Sequence, residues 1–154
     1  MAEIAQVGYS VAVSASKHRI YHRLQLAAHR LQKAADRALL SAANVTTSQA
    51  AVLAIVGGGP VMQRSVAKQL GLNESALTAM TSRLVLLGFL ERKRDATDVR
   101  AWQLELTPDG RAVLKQIEKP FKRINQQIES ILSAEDLAQL ADYLQRIGEA
   151  FDEG

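Results

Sequence analysis

The chain has 154 residues, 47% hydrophobic and 23% charged, which is ordinary for a globular protein and enough for one domain-sized core. It contains no cysteine, which excludes disulfides, thiolate metal sites and thiol-based redox sensing, and fits a reducing cytoplasm. The net charge of +3 is laid out unevenly: residues 1–42 carry six basic and two acidic side chains, residues 61–100 seven and four, and residues 101–154 six and ten. A basic middle suits phosphate, and a basic start can face an acidic end.

The N-terminal stretch is not expected to be a secretory leader, because its first basic residue is Lys17 and Glu3, Gln6 and Ser10 interrupt a weakly apolar run. No apolar run approaches the length of a membrane span. The first strong helix is predicted over 17–42, where Ile20, Leu24, Ala27, Leu31, Ala34 and Ala38 recur at steps of four and three and draw one narrow stripe. Asn44 helps to end it. Thr46 and Gln49 form a capping box that opens a short apolar helix to about Val56, and Gly57-Gly58-Gly59-Pro60 terminates that helix.

A third helix is predicted over 63–70, broken at Gly71. Asn73 can cap a fourth, whose period runs through Leu77, Met80, Leu84 and Leu87 to a stop at Gly88. The period then changes to two: Trp102, Leu104 and Leu106 alternate with Gln103 and Glu105, and Phe89–Arg94 can pair with them across the loop Asp95–Ala101. This predicts a two-stranded hairpin with its basic residues near the tip. Thr107-Pro108 is a helix start, and the following helix carries Leu114, Ile117, Phe121, Ile124, Ile128 and Ile131, with Pro120 expected to kink it. Ser133 and Asp136 open a last helix bearing Leu137, Leu140, Leu144, Ile147 and Phe151. Three terminal helices thus carry apolar stripes that the short middle elements cannot cover, whereas a second copy of the chain can.

Residues 66–84 have helix-turn-helix spacing, with small Ala67 allowing close approach and Gly71 the tight turn. A helix-turn-helix followed directly by a basic hairpin is an architecture that reads DNA, its second helix in the major groove and its wing at the adjacent backbone or minor groove. Arg64 and Lys68, one turn apart on the supporting helix, can neutralise backbone phosphates. Ser75, Ala76, Thr78, Ala79, Ser82 and Arg83 occupy the outward positions of the reading helix. Their small side chains permit close approach, their methyls can meet thymine, and Arg83 is the only long cation on that helix. Ser75 and Thr78 read equally as ordinary helix surface. Arg92, Lys93 and Arg94 cannot all point one way on a strand, so one or two of them, Arg92 and Arg94 above all, are expected at phosphate.

The run Leu90-Glu-Arg-Lys-Arg-Asp-Ala-Thr-Asp-Val-Arg100, followed by Leu104-Glu-Leu-Thr-Pro-Asp-Gly110, resembles the wing signature of the MarR family of regulators. Thr46-x-x-Gln49-x-x-x-Leu53, Leu70-Gly71 and Ser75-x-x-Thr78 agree with it, so the resemblance covers about 17–151. It implies a mainly α fold: a winged helix-turn-helix with a two-stranded wing over 45–107, and dimerisation helices over 1–44 and 108–154. It further implies a homodimer that binds double-stranded DNA at a pseudo-palindromic operator, usually as a repressor, with a small-molecule effector between the dimer helices and the winged domain. Tyr21 and His22 are the nearest candidates for that pocket. By position Arg100 is the wing-tip arginine that enters the minor groove, and Asp98 orients it through a carboxylate–guanidinium pair; the alternative is a solvated ion pair of little energy. Many relatives place a basic residue near position 79, where this chain has alanine, which shifts weight from base readout to the wing.

His18 and His22 stand at the i, i+4 spacing that can hold a metal, with His29 further along, but no cysteine or matched acidic partner joins them, and a polar helix face is the simpler reading. Neither a metal site nor a cofactor is expected. No Ser-His-Asp pattern, glycine-rich phosphate loop or His-Glu-x-x-His motif is present, so no enzyme is expected either. Two rivals stand beside the DNA reader: a winged helix that binds only protein, and a metal-responsive regulator.

Overall fold

A computed structural model describes residues 19–152, folded as α1 (Ile20–Ala43), α2 (Thr47–Val56), β1 (Val61–Met62), α3 (Gln63–Leu70), α4 (Glu74–Leu86), β2 (Leu90–Arg94), β3 (Trp102–Leu106), α5 (Pro108–Glu129) and α6 (Ala134–Ala150). Lys17, His18 and the N-terminal stretch before them lie outside those residues. Local chemistry sets most boundaries. Asn44 ends α1 in the left-handed region at φ 55°, a conformation that asparagine tolerates better than most residues. The Thr46–Gln49 box forms as expected: Thr46 Oγ1 accepts from the Gln49 N–H and Gln49 Oε1 from the Thr46 N–H. Asp36 of α1 ties the same helix start, its carboxylate accepting from both the N–H and the hydroxyl of Thr47 at 2.7 Å.

Asn73 caps α4, Thr107 caps α5 and Ser133 caps α6, each side-chain oxygen accepting from the N–H three residues on. Thr107 does more: its hydroxyl donates to the Gly88 carbonyl at 2.6 Å, and its N–H to the Phe89 carbonyl at 3.1 Å. Gly110, one turn into α5, packs against that carbonyl so closely that a Cβ there would lie 2.1 Å from Phe89 O. The start of α5 is therefore clasped to the end of α4. Helix α5 continues through Pro120, whose ring is buried, so the proline does not end the helix.

The sheet has three antiparallel strands in the order β1-β3-β2, one more than the sequence suggests. The hairpin pairs Leu90 with Leu106 and Arg94 with Trp102, and β1 adds Val61 opposite Leu104. Leu53, Val56, Val66, Leu77, Leu84, Leu90 and Leu104 fill one core between α2, α3, α4 and the sheet, each no more than 2% exposed. Fully burying a leucine or valine contributes about 1.5–3 kcal/mol, so this centre holds the reading elements rigidly. Helix α1 joins the core through Leu39 and α5 through Val113 and Ile117.

The stripe expected on α1 is a different face from the one buried here. Ala35 and Leu39 are covered, while Ile20 and Leu31 remain open; α6 buries none of its residues. Among the described residues no single helix is long and apolar enough to cross a membrane.

Candidate nucleic-acid interface

Helices α3 and α4 meet at Gly71, which takes φ 63°; no atom crowds its Cα, so the requirement is the left-handed backbone and not space. Buried Val66 and Ala67 of α3 pack toward Leu77 of α4, leaving α4's opposite face to solvent. Ser75, Thr78, Ala79, Ser82 and Arg83 are exposed and Ala76 half-buried, so the outward positions read from the sequence form one continuous surface. Arg64 and Lys68 are exposed on α3.

The three cations of β2 are committed within the protein. Lys93 Nζ lies 2.5 Å from Glu105 Oε2 and 3.8 Å from Glu91 Oε2, and the hydrogen bond and charge of Glu105 hold its pKa above the ordinary lysine value. Arg94 stacks on the Trp102 ring at 3.8 Å, and its Nη1 donates to the Val99 carbonyl at 2.9 Å. Arg92, half-buried, turns onto α4: its Nη2 donates to the Thr78 carbonyl and the Ser82 hydroxyl, both at 3.2 Å, and to the Thr81 hydroxyl. The expectation that Arg92 and Arg94 reach for phosphate thus meets a different geometry. Leu90 shares their face of the strand and is buried, so period two carries Arg92 inward.

The wing loop is built from its own polar groups. Asp95 Oδ1 accepts from the Thr97 hydroxyl at 2.6 Å and from the N–H groups of Thr97 and Asp98 at 2.9 Å. The Thr97 hydroxyl foremost, then those two N–H groups and the charge of Arg64, hold the Asp95 carboxyl below its ordinary pKa. The Asp95 N–H donates to the Ala101 carbonyl and the Ala101 N–H to that of Asp98, closing the loop. Asp98 Oδ1 accepts from the main-chain N–H of Arg100 at 3.1 Å. Its contact with Arg100 is therefore to the backbone, in place of the carboxylate–guanidinium pair expected; it fixes the turn from which the exposed Arg100 side chain projects. Asp95 and Trp102 are wing residues to which pattern reading gave no role at the site, although an Asp two residues before a Thr is a recognisable turn signal; Arg94, expected at phosphate, instead stacks on Trp102.

Arg64 and Arg100 line the same open cleft of about 260 Å³, together with Gln63, Glu74, Asp98 and Trp102. Tyr21 and His22 are exposed at the start of α1, and neither lines the two cavities of about 430 Å³ between α1 and α5. Among the described residues no group of three or more His, Cys, Asp or Glu side chains is placed to hold a metal ion; His22 and His29 are exposed on α1.

A capped helix on a rigid helix-turn-helix, flanked by a self-braced basic hairpin, defines a winged-helix DNA-binding protein. Residues 45–110 match the family model for a winged helix DNA-binding domain. The multiple antibiotic resistance protein MarR of Salmonella typhimurium is 32% identical over 110 residues, which are 70% of this chain and 76% of that protein. The chain belongs to the MarR family of DNA-binding transcriptional regulators. Solved structures agree. A mutant MarR from E. coli complexed with operator DNA matches with a TM-score of 0.72 at 26% identity, over 86% of this chain and 99% of that one. The PcaV transcriptional regulator from Streptomyces coelicolor, in complex with its natural ligand, matches with a TM-score of 0.71 at 29% identity, over 90% and 95%.

Proposed function

We propose that the protein is a homodimeric repressor, responsive to a small molecule, that binds a pseudo-palindromic operator in the cytoplasm and has no catalytic activity. The observation that carries this reading is the convergence of Arg64 of α3 and Arg100 of the wing on one cleft beside the exposed small-residue face of α4. Inserted in a major groove, α4 would offer Ser75, Ala76, Thr78, Ala79, Ser82 and Arg83 to base edges and the adjacent backbone. Arg64 and Lys68 would meet phosphates, and Arg100 would enter the flanking minor groove, its direction set by a loop already closed by Asp95 and Asp98. Arg94 acts on DNA through the loop it braces.

Residues 1–44 and 108–154 form the dimerisation unit and 45–107 the reader. The bare stripe of α6 and the open face of α1 are complementary in charge, α1 being basic and the C-terminal third acidic. The solved complexes of relatives with operator DNA and with a natural ligand support both the duplex and the effector. A ligand acts by binding one spacing of the two readers more tightly than another.

A gel shift with sheared genomic DNA at two salt concentrations tests this: binding at low salt that weakens steeply with added salt is expected. Absence of binding at low salt would overturn it in favour of a protein-interaction module. Arg100→Ala is expected to weaken operator binding about tenfold with the melting temperature unchanged, and unaltered affinity would remove Arg100 from its role.

A further inference from the structure

We infer that Arg92 is a positioning residue, a half-buried strut that sets the rotation of α4 against the wing and so determines which side chains meet the bases; this rests on the reading of α4 as the helix that enters the groove. Leu77 and Leu84, both fully buried, fix which side of α4 faces the core, and directional bonds on the same face refine its rotation further. Hydrogen bonds from a planar guanidinium are directional. The three acceptors of Arg92, on Thr78, Thr81 and Ser82, occupy one face of α4 at i, i+3 and i+4. From the other side Gln63, the first residue of α3, donates to the Thr78 hydroxyl at 3.1 Å, and its Oε1 lies 3.4 Å from the Thr81 hydroxyl.

Thr81 is thus the junction of three elements, and it is completely buried. It cannot touch DNA. Arg92 also leaves its buried Nε without a partner, a desolvation cost that accompanies its three bonds to α4 and its place 5.9 Å from the Trp102 ring centroid. The same bonds orient the reading surface. The hydroxyls of Thr78 and Ser82 accept internally from Gln63 and Arg92, which leaves each O–H free to donate outward, toward the acceptor edges of guanine, thymine or adenine. Rotation of α4 would release both hydroxyls and carry Ala79 and Arg83 off their positions.

The test compares two duplexes, one selected by the wild-type protein from a random-sequence library and one of unselected sequence, across a salt series. Arg92→Met and Thr81→Val are each expected to weaken the selected duplex about tenfold, leaving the unselected duplex and the salt slope unchanged. The double variant is expected to be no worse than the worse single, because both break one linkage. Thr81→Ser, which keeps the hydroxyl, restores binding to the selected duplex. The inference is overturned if Arg92→Met weakens both duplexes equally and lowers the salt slope by about one while Thr81→Val behaves as wild type, for Arg92 is then a phosphate contact. It is equally overturned if neither variant changes discrimination. Should Arg92→Met fail to fold, Thr81→Val decides alone, since it preserves side-chain volume. If the wild type selects no sequence at all, the DNA reading itself fails and the strut with it.

Discussion

The winged unit and the terminal helices carry equally regular apolar periods, yet the protein treats them in opposite ways. Within 45–107 the periodic positions are covered: Val66, Leu77, Leu84 and Leu104 have no exposed surface. On α6 none of the 17 residues is buried, and Leu140, Leu144 and Ile147 are 37–47% exposed. Periodicity reports that a helix face is apolar; it does not report what covers that face. The contrast leaves the middle of the chain self-covered and the α6 stripe open, as the proposed dimer requires. The sharpest way to break that division is to charge the α6 stripe. Leu140→Glu with Leu144→Glu is expected to leave a folded, monomeric protein whose operator affinity has fallen about 100-fold or more, because two half-sites no longer bind as one unit. Sedimentation and gel shift check it; a dimer with intact affinity would place the interface elsewhere.

A pair of single truncations sharpens the same contrast with a smaller effect. Leu53 is fully buried in the winged core, and Leu53→Ala is expected to cost about 2–5 kcal/mol regardless of protein concentration. Leu144→Ala should lower the melting temperature by an amount that grows as the protein is diluted, the mark of stability that comes from association. Equal behaviour of the two variants across a dilution series would erase the distinction. A cap is worth less again: Thr107→Ala removes the α5 cap and the bond to the Gly88 carbonyl, for an expected loss of about 1–2 kcal/mol by thermal or denaturant unfolding.

What was legible in the sequence follows the reach of each interaction. The capping residues Thr46, Asn73, Thr107 and Ser133 act within three residues of themselves, and all four cap as read. The helix-turn-helix and the hairpin register follow from periods that persist over many residues. Strand β1 escaped because two residues have no period; only pairing with distant Leu104 and Gln103 makes Val61 and Met62 a strand. The buried face of α1 was missed because Ala35 and Leu39 lie beside a longer apolar stripe whose period is the stronger signal, although only part of that stripe is covered. Arg92 carried a signal that went unused: it sits two residues after Leu90, on the face directed at the core. Basic residues in a wing invite assignment to phosphate, and only the three-dimensional path of β2 across α4 reveals that this one is turned inward.

The wing loop belongs to the winged unit, yet it is held by polar bonds instead of by a core, and this predicts the smallest effect of all. Asp95 has a pKa below the ordinary 3.8, so its hold on Thr97 and Asp98 is complete above that value and is lost only as pH falls through the depressed one. Lys93 has a pKa above the ordinary 10.5, so its own charge, and the lysine side of its bridge to Glu105, is kept below that value and is lost as pH rises through the raised one. Neither group changes charge between about pH 5 and pH 9. The chain's single tryptophan, Trp102, lies under Arg94 at the base of this loop, so its fluorescence reports the loop directly. Its emission should be flat across that window. A transition within it would mean that the wing is gated by a histidine or carboxylate from outside its own bonds, and the loop would cease to be a preformed holder of Arg100.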